Sequence, residues 1–188
     1  MFILVLALVV GSVIAADNIF TVGADYSVLA YGDTGGKQHF AGGEVALYSY
    51  ANEFSDDGFM VQGSAQYLTS MSIEFGGSTV TVDVQGNKTL LVSILGGYAR
   101  RFPLGGTIDL TLGVGPTYQL LSDDGETQWS TLGLGANIEA LVMVTPTISV
   151  HVGFGTSYNF FDLKAQKTID ADSIPITVRP YIAAGFRF

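Results

Sequence analysis

Thr107-Ile108-Asp109-Leu110-Thr111-Leu112-Gly113-Val114-Gly115-Pro116-Thr117-Tyr118-Gln119-Leu120 is the stretch on which the fold turns. Ile108, Leu110, Leu112, Val114, Pro116, Tyr118 and Leu120 alternate with Thr107, Asp109, Thr111, Gly113, Gly115, Thr117 and Gln119. Successive side chains of a strand point to opposite faces, so this segment reads as a strand with one wholly apolar face and one small or polar face. The same split recurs over 147–161, where Ile148, Val150, Val152, Phe154, Tyr158 and Phe160 oppose Ser149, His151, Gly153, Gly155, Ser157 and Asn159. Over 174–188 it sets Ile174, Ile176, Val178, Ile182, Phe186 and Phe188 against Thr177, Arg179, Gly185 and Arg187.

Extending the alternation outward predicts eight strands, at 19–31, 40–51, 59–71, 89–101, 107–120, 129–143, 147–161 and 174–188. Strands two and four alternate least clearly. Links at 52–58, 102–106 and 145–146 are short or moderate and carry Pro or Gly, whereas the polar links at 32–39, 72–88, 121–128 and 162–173 are longer. An even number of strands with short turns at one end and long loops at the other describes an antiparallel up-and-down transmembrane β-barrel. Within the longest link, Thr79-Val80-Thr81-Val82-Asp83-Val84 alternates well enough to extend the barrel as a hairpin.

Residues 1–16 form an apolar run that closes on Ala15 and Ala16 and turns polar at Asp17. That pattern predicts an exported chain with a signal peptide over 1–16 and a barrel over 17–188. Hydrophobic residues make up 48% of the chain and charged residues 13%, with 24 glycines, 12 Phe and 9 Tyr. No long apolar span follows residue 16, so this apolar content is spread over strands rather than gathered in a membrane helix. The absence of Cys excludes a disulfide framework, a thiolate nucleophile and a Cys-based zinc site. A net charge of −9 argues against nucleic acid, whose phosphates call for a basic face.

The charges decide what the two faces meet. Asp25, Asp109, Glu139, Arg179 and Arg187 all fall on the small-residue side, joined by Glu44 when strand two is phased with its neighbours. A water-facing surface would carry Lys and Glu throughout, but here the polar face is mainly Gly, Ser and Thr. A charge on a lipid-facing strand costs about 2–4 kcal/mol for Lys or Arg at the midplane, which enforces this sorting. The expected surroundings are therefore outer-membrane lipid outside and a narrow, filled interior.

Val178-Arg179-Pro180-Tyr181-Ile182-Ala183-Ala184-Gly185-Phe186-Arg187-Phe188 resembles the closing strand of small bacterial outer-membrane proteins, most of all the OmpW-type members. Gly115-Pro116-Thr117-Tyr118 and Val22-Gly23-Ala24-Asp25-Tyr26 resemble the broader group of OmpW-like and OmpA/OmpX-like eight-stranded barrels. The resemblance implies that Ile182, Phe186 and Phe188 act as a C-terminal signal read by the barrel-assembly machinery. It also implies a narrow passage or binding site for small hydrophobic molecules.

An eight-stranded barrel is just wide enough for its inward side chains to fill it. Asp25, Glu44, Asp109, Glu139 and His151 are expected to share that lumen with Arg179, Arg187 and Arg101, with Asp25 paired to Arg179. Leu29, Tyr31, Leu68, Leu91, Leu121, Trp129 and Phe161 fall inward near the long-loop mouth and predict an apolar chamber above the polar network. The chain has two His, His39 and His151, and neither sits in a metal-binding or hydrolase motif. Barrel lipid A deacylases use a His-x-Ser pair on a lipid-facing strand, whereas His151 points inward and is followed two residues on by Gly153. No cofactor, metal or catalytic residue is assigned. Three functions fit: a passage for small apolar molecules, a surface adhesin or host-interaction protein working through its loops, and a purely structural barrel.

Overall fold

The computed structural model describes residues 17–30, 36–75, 78–84, 86, 88–169 and 175–188. The expected signal peptide and Tyr31 lie outside them. Ten antiparallel strands follow in chain order: β1 (Asp17–Ala30), β2 (Gly36–Tyr50), β3 (Asp57–Phe75), β4 (Ser78–Asp83), β5 (Leu90–Gly105), β6 (Ile108–Asp123), β7 (Glu126–Met143), β8 (Ile148–Asp162), β9 (Lys167–Thr168) and β10 (Ile176–Arg187). Eight of them close a ring, β1-β2-β3-β5-β6-β7-β8-β10, through the β10–β1 and β10–β8 pairings. The other two are appendages at the rim, β4 on β3 and β9 on β8.

Closure removes the sheet edges that an open sheet would leave unpaired. The seam runs from Ile19↔Arg187 to Ala30↔Ile176. Its last rung is Phe188, whose backbone N–H and carbonyl bond Asn18 at 2.9 and 3.0 Å. Strands two and four of the sequence reading, β2 and β5, carry Phe40, Glu44, Ala46 and Tyr48, and Leu91, Leu95, Ala99 and Arg101, on the buried inner face. On the outside, alternate residues such as Val22, Val45, Val114, Leu134, Val152 and Ile182 are each 47–58% exposed. The result is an apolar belt around a polar core, the inverse of a water-soluble domain.

The strands run longer than the alternation alone indicated, and the 121–128 link is the clearest difference. Asp123 pairs with Glu126, leaving Asp124-Gly125 as a two-residue turn with φ of 49° and 85°. Such a turn requires positive φ at both positions, which Asp-Gly accepts at little steric cost. The expected long loop is therefore a tight hairpin. The 72–88 link folds as the anticipated hairpin, with Met71↔Val82 and Ile73↔Val80 among its pairs.

Bulges decide facing near the rim. Phe40 pairs with Leu68, but the next pair is His39↔Ser70, so Thr69 is an extra residue and the phase of β3 reverses beyond it. A second irregularity takes the pairing from Gly133↔Asn159 to Leu132↔Phe161. It places Phe161 beside the outward Leu132, half-exposed. The expectation that Phe161 lines the interior is thereby corrected: a one-residue insertion moves every later side chain to the other face.

Candidate functional site

The lumen is built in layers from the short-turn end upward. At the seam, the Asp17 carboxylate accepts hydrogen bonds from Arg187 (Nε at 2.5 Å, Nη2 at 2.8 Å) and from Arg101 Nη1 at 2.8 Å. Arg101 also donates to the carbonyls of Glu53 and Ser55 and lies over the Tyr50 ring, 4.3 Å from its centroid. One carboxylate thus joins β1, β5, β10 and the β2–β3 turn. Asp17 was missed in the sequence because it stands where the signal-peptide reading ends. Asp109 is half-exposed near the same mouth and, among the described residues, has no ion-pair partner within 4 Å. Its expected place in the paired network is corrected accordingly.

Above the seam, Glu139 and His151 meet. His151 Nδ1 is 2.9 Å from Glu139 Oε1, and its Nε2 is 2.7 Å from Ser149 Oγ. Tyr48 donates to Glu139 Oε2 at 3.0 Å, and the Tyr181 hydroxyl lies 2.8 Å from the same oxygen. Asn137 links Tyr48 to Gln62, and Gln62 donates to Glu44 at 2.9 Å. The order hydroxyl, imidazole, carboxylate is that of a hydrolytic triad, but Ser149 and His151 are both 0% exposed. A Cβ on Gly185 would come within 2.3 Å of both Ser149 Oγ and His151 Nε2. The β10 backbone already occupies the approach a substrate carbonyl would need.

The third layer centres on Arg179. It donates to Ser64 Oγ at 3.0 Å and stands 3.9 Å from Asp25 and 4.0 Å from Glu44. The sequence-predicted Asp25–Arg179 pair is a loose contact, and among the described residues neither Asp25 oxygen has a hydrogen-bond partner. Higher still, Gln119 bonds Ser157, Thr177 and Asn159, and Asn159 accepts from Thr117. Sequence pattern alone could mark these uncharged residues as inward but could not say which would meet.

The expected apolar chamber is not hollow. Leu29, Leu68, Leu91 and Leu121 form one cluster, with Trp129 packed against it, and Phe40 and Val84 join them. Leu29, Phe40 and Leu91 are all 0% exposed, so no water-sized space adjoins them. The chamber is corrected to a plug, and Phe40 is the reason, because its large ring fills what the predicted set would have left open. It escaped the sequence reading because strand two has the weakest alternation.

Outside the ring stands the β3–β4 hairpin. Met71, Ile73, Val80 and Val82 share one of its faces and are 38–59% exposed. Beyond the bulge they lie on the side of the plug, with Val84 continuing the strip into it. The opposite side is polar, where His39 Nδ1 lies 2.6 Å from the Tyr26 hydroxyl and its Nε2 2.9 Å from Ser72 Oγ. Among the described residues β4 pairs with β3 alone, so its other edge is open. Of the predicted terminal signal, Ile182, Phe186 and Phe188 all face outward and are 52–56% exposed, with Phe186 and Phe188 stacked.

No family model and no curated protein sequence matches the chain. Among solved structures it is similar to Neisserial surface protein A, at a TM-score of 0.66 and 12% identity over 91% of this chain and 97% of that one. It is similar also to Ail, the attachment invasion locus protein of Yersinia pestis, at a TM-score of 0.55 and 13% identity over 93% of this chain and 100% of that one. The outer membrane protein OprG of Pseudomonas aeruginosa matches at a TM-score of 0.51 and 12% identity over 93% and 97%. At such identities the likeness carries the fold.

Proposed function

From a fold shared with the small outer-membrane β-barrels, we infer that this chain spans the outer membrane and works at the cell surface as a binding protein, using the β3–β4 hairpin. The apolar belt supplies the membrane reading, since an exterior of Val, Leu, Ile and Phe with its charges turned inward suits lipid and not water. The single observation that carries the binding role is the hairpin itself. It presents an open strand edge beside a strip of exposed apolar side chains, on a barrel whose lumen is packed.

An open edge offers unpaired N–H and C=O groups to an extended peptide, and alternate apolar side chains give it contacts on one face. The partner that fits is thus a polypeptide segment of a host or neighbouring-cell surface protein. Ail has been crystallised with a heparin analogue. A net charge of −9 makes a polyanion a poor match for the present chain. The passage for small hydrophobic molecules that the OmpW resemblance implies would require Leu29, Phe40 and Leu91 to move apart, and their packing disfavours it.

Deleting residues 76–86 in cells that display the protein tests the reading. The expected result is loss of adhesion to protein-coated surfaces, with uptake of small apolar solutes and barrel folding both unchanged. Adhesion that survives the deletion, or uptake that falls with it, would overturn the hairpin role.

A further inference from the structure

The outer wall carries a second feature, remote from the hairpin. Across β5, β6, β7 and β8 two neighbouring rows of outward residues run Tyr98↔Val114↔Ala136↔Thr156 and Arg100↔Leu112↔Ile138↔Phe154. Ala136 and Thr156 are small where the residues around them are large, so the wall is indented there. The resulting apolar groove has a volume of about 420 Å³, within the range of about 300–1,000 Å³ for small-ligand sites.

Its short-turn end is marked by charge. Arg100 lies on the groove, with its guanidinium 5.5 Å from the Phe102 ring centroid. Arg100 is also the cross-strand partner of Asp57, with Nη1 3.4 Å from Asp57 Oδ1 and the two side chains 47% and 59% exposed. Tyr98 donates its hydroxyl to the same carboxylate. A guanidinium has five N–H donors, and this contact leaves others for an anion. The carboxylate beside it has room for a cation. A plus and a minus charge side by side at the end of an apolar groove are complementary to a molecule with an acyl chain, a phosphate and an ammonium group.

We propose that this groove binds a phospholipid with a primary-amine headgroup, its chain along Ala136 and Thr156, its phosphate on Arg100 and its ammonium on Asp57. The site lies toward the short-turn end, which in the membrane reading above is the periplasmic leaflet. The inference rests on that reading. A phosphate-glycerol headgroup offers Asp57 only neutral hydroxyls and no cation, and a choline headgroup has no N–H to donate to it, so the pair discriminates among headgroups as well as holding one.

The test reconstitutes the full chain in nanodiscs of equal parts phosphatidylethanolamine, phosphatidylglycerol and phosphatidylcholine. Native mass spectrometry then counts the lipids that remain on the released protein. The wild type is expected to retain one phosphatidylethanolamine in preference to the others by roughly three- to fivefold, the scale of exposed charged contacts. Asp57→Asn, which removes the charge facing the ammonium, should bring that preference close to one, and Ala136→Phe, which fills the groove, should abolish retention of the tight lipid altogether. Unboiled gel migration confirms that both variants are folded barrels. Equal retention of the three lipids by the wild type, or a preference that survives in both folded variants, overturns the proposal. A chain that fails to enter bilayers at all overturns the membrane reading instead.

Discussion

At the scale of single residues, the lumen shows charges that are held and charges that are merely near one another. Asp17 is held by two arginines at hydrogen-bond distance, whereas Asp25 and Arg179 stand 3.9 Å apart. Removing one member of a buried ion pair strands its partner and costs about 3–5 kcal/mol. Asp17→Ala is therefore expected to lower stability by that order, and Asp25→Ala by clearly less, read as urea midpoints in detergent micelles. Glu139 is a similar keystone, since it collects Tyr48, Tyr181 and His151. Glu139→Gln, which preserves an acceptor for the two hydroxyls, should fall between wild type and Glu139→Ala in the same measurement. The sequence marked Glu139, His151 and Arg179 as inward because a strand's period is two. It could not reveal Asp17's role, which depends on Arg101 and Arg187 arriving from strands far along the chain.

At the scale of elements, the inner face is fitted by pairing large side chains with glycines on the neighbouring strand. A Cβ on Gly153 would lie 2.1 Å from the Tyr181 ring. Overpacking of this kind typically costs about 1–3 kcal/mol, so Gly153→Ala should lower stability by at least that order, while Gly86→Ala, whose added Cβ meets none of the described residues within 4 Å, should act through its positive φ alone. The β6–β7 hairpin turns on Asp124-Gly125, and Gly125 has a φ of 85°. Gly125→Ala places a side chain in the left-handed region, and a loss of about 1 kcal/mol is expected. The Asp-Gly dipeptide was visible from the start as a two-residue turn signal. Reading 121–128 as a long loop overlooked it. The bulges at Thr69 and Phe160 had no such local signature, because the extra residue exists only relative to a partner strand.

At the scale of the whole molecule, the interior is closed twice, by hydrogen-bonded polar layers below and by the Leu29–Phe40–Leu91 plug above. In planar bilayers the wild type is expected to carry no steady ion current, and sustained single-channel openings would contradict the packed lumen. The alternation of two residue kinds determined the fold class and, on the strands where it is clear, which side turns inward, because burial in lipid or in the lumen acts on every second side chain alike. It likewise showed that the charges belong inside. What only the tertiary structure decided is how the inner side chains meet. The expected chamber became a plug once Phe40 filled it, Phe161 left the interior at a bulge, and Asp17 became the clasp of the seam. Each of these outcomes depends on register between strands distant in sequence, and side-chain periodicity within a strand carries no information about register.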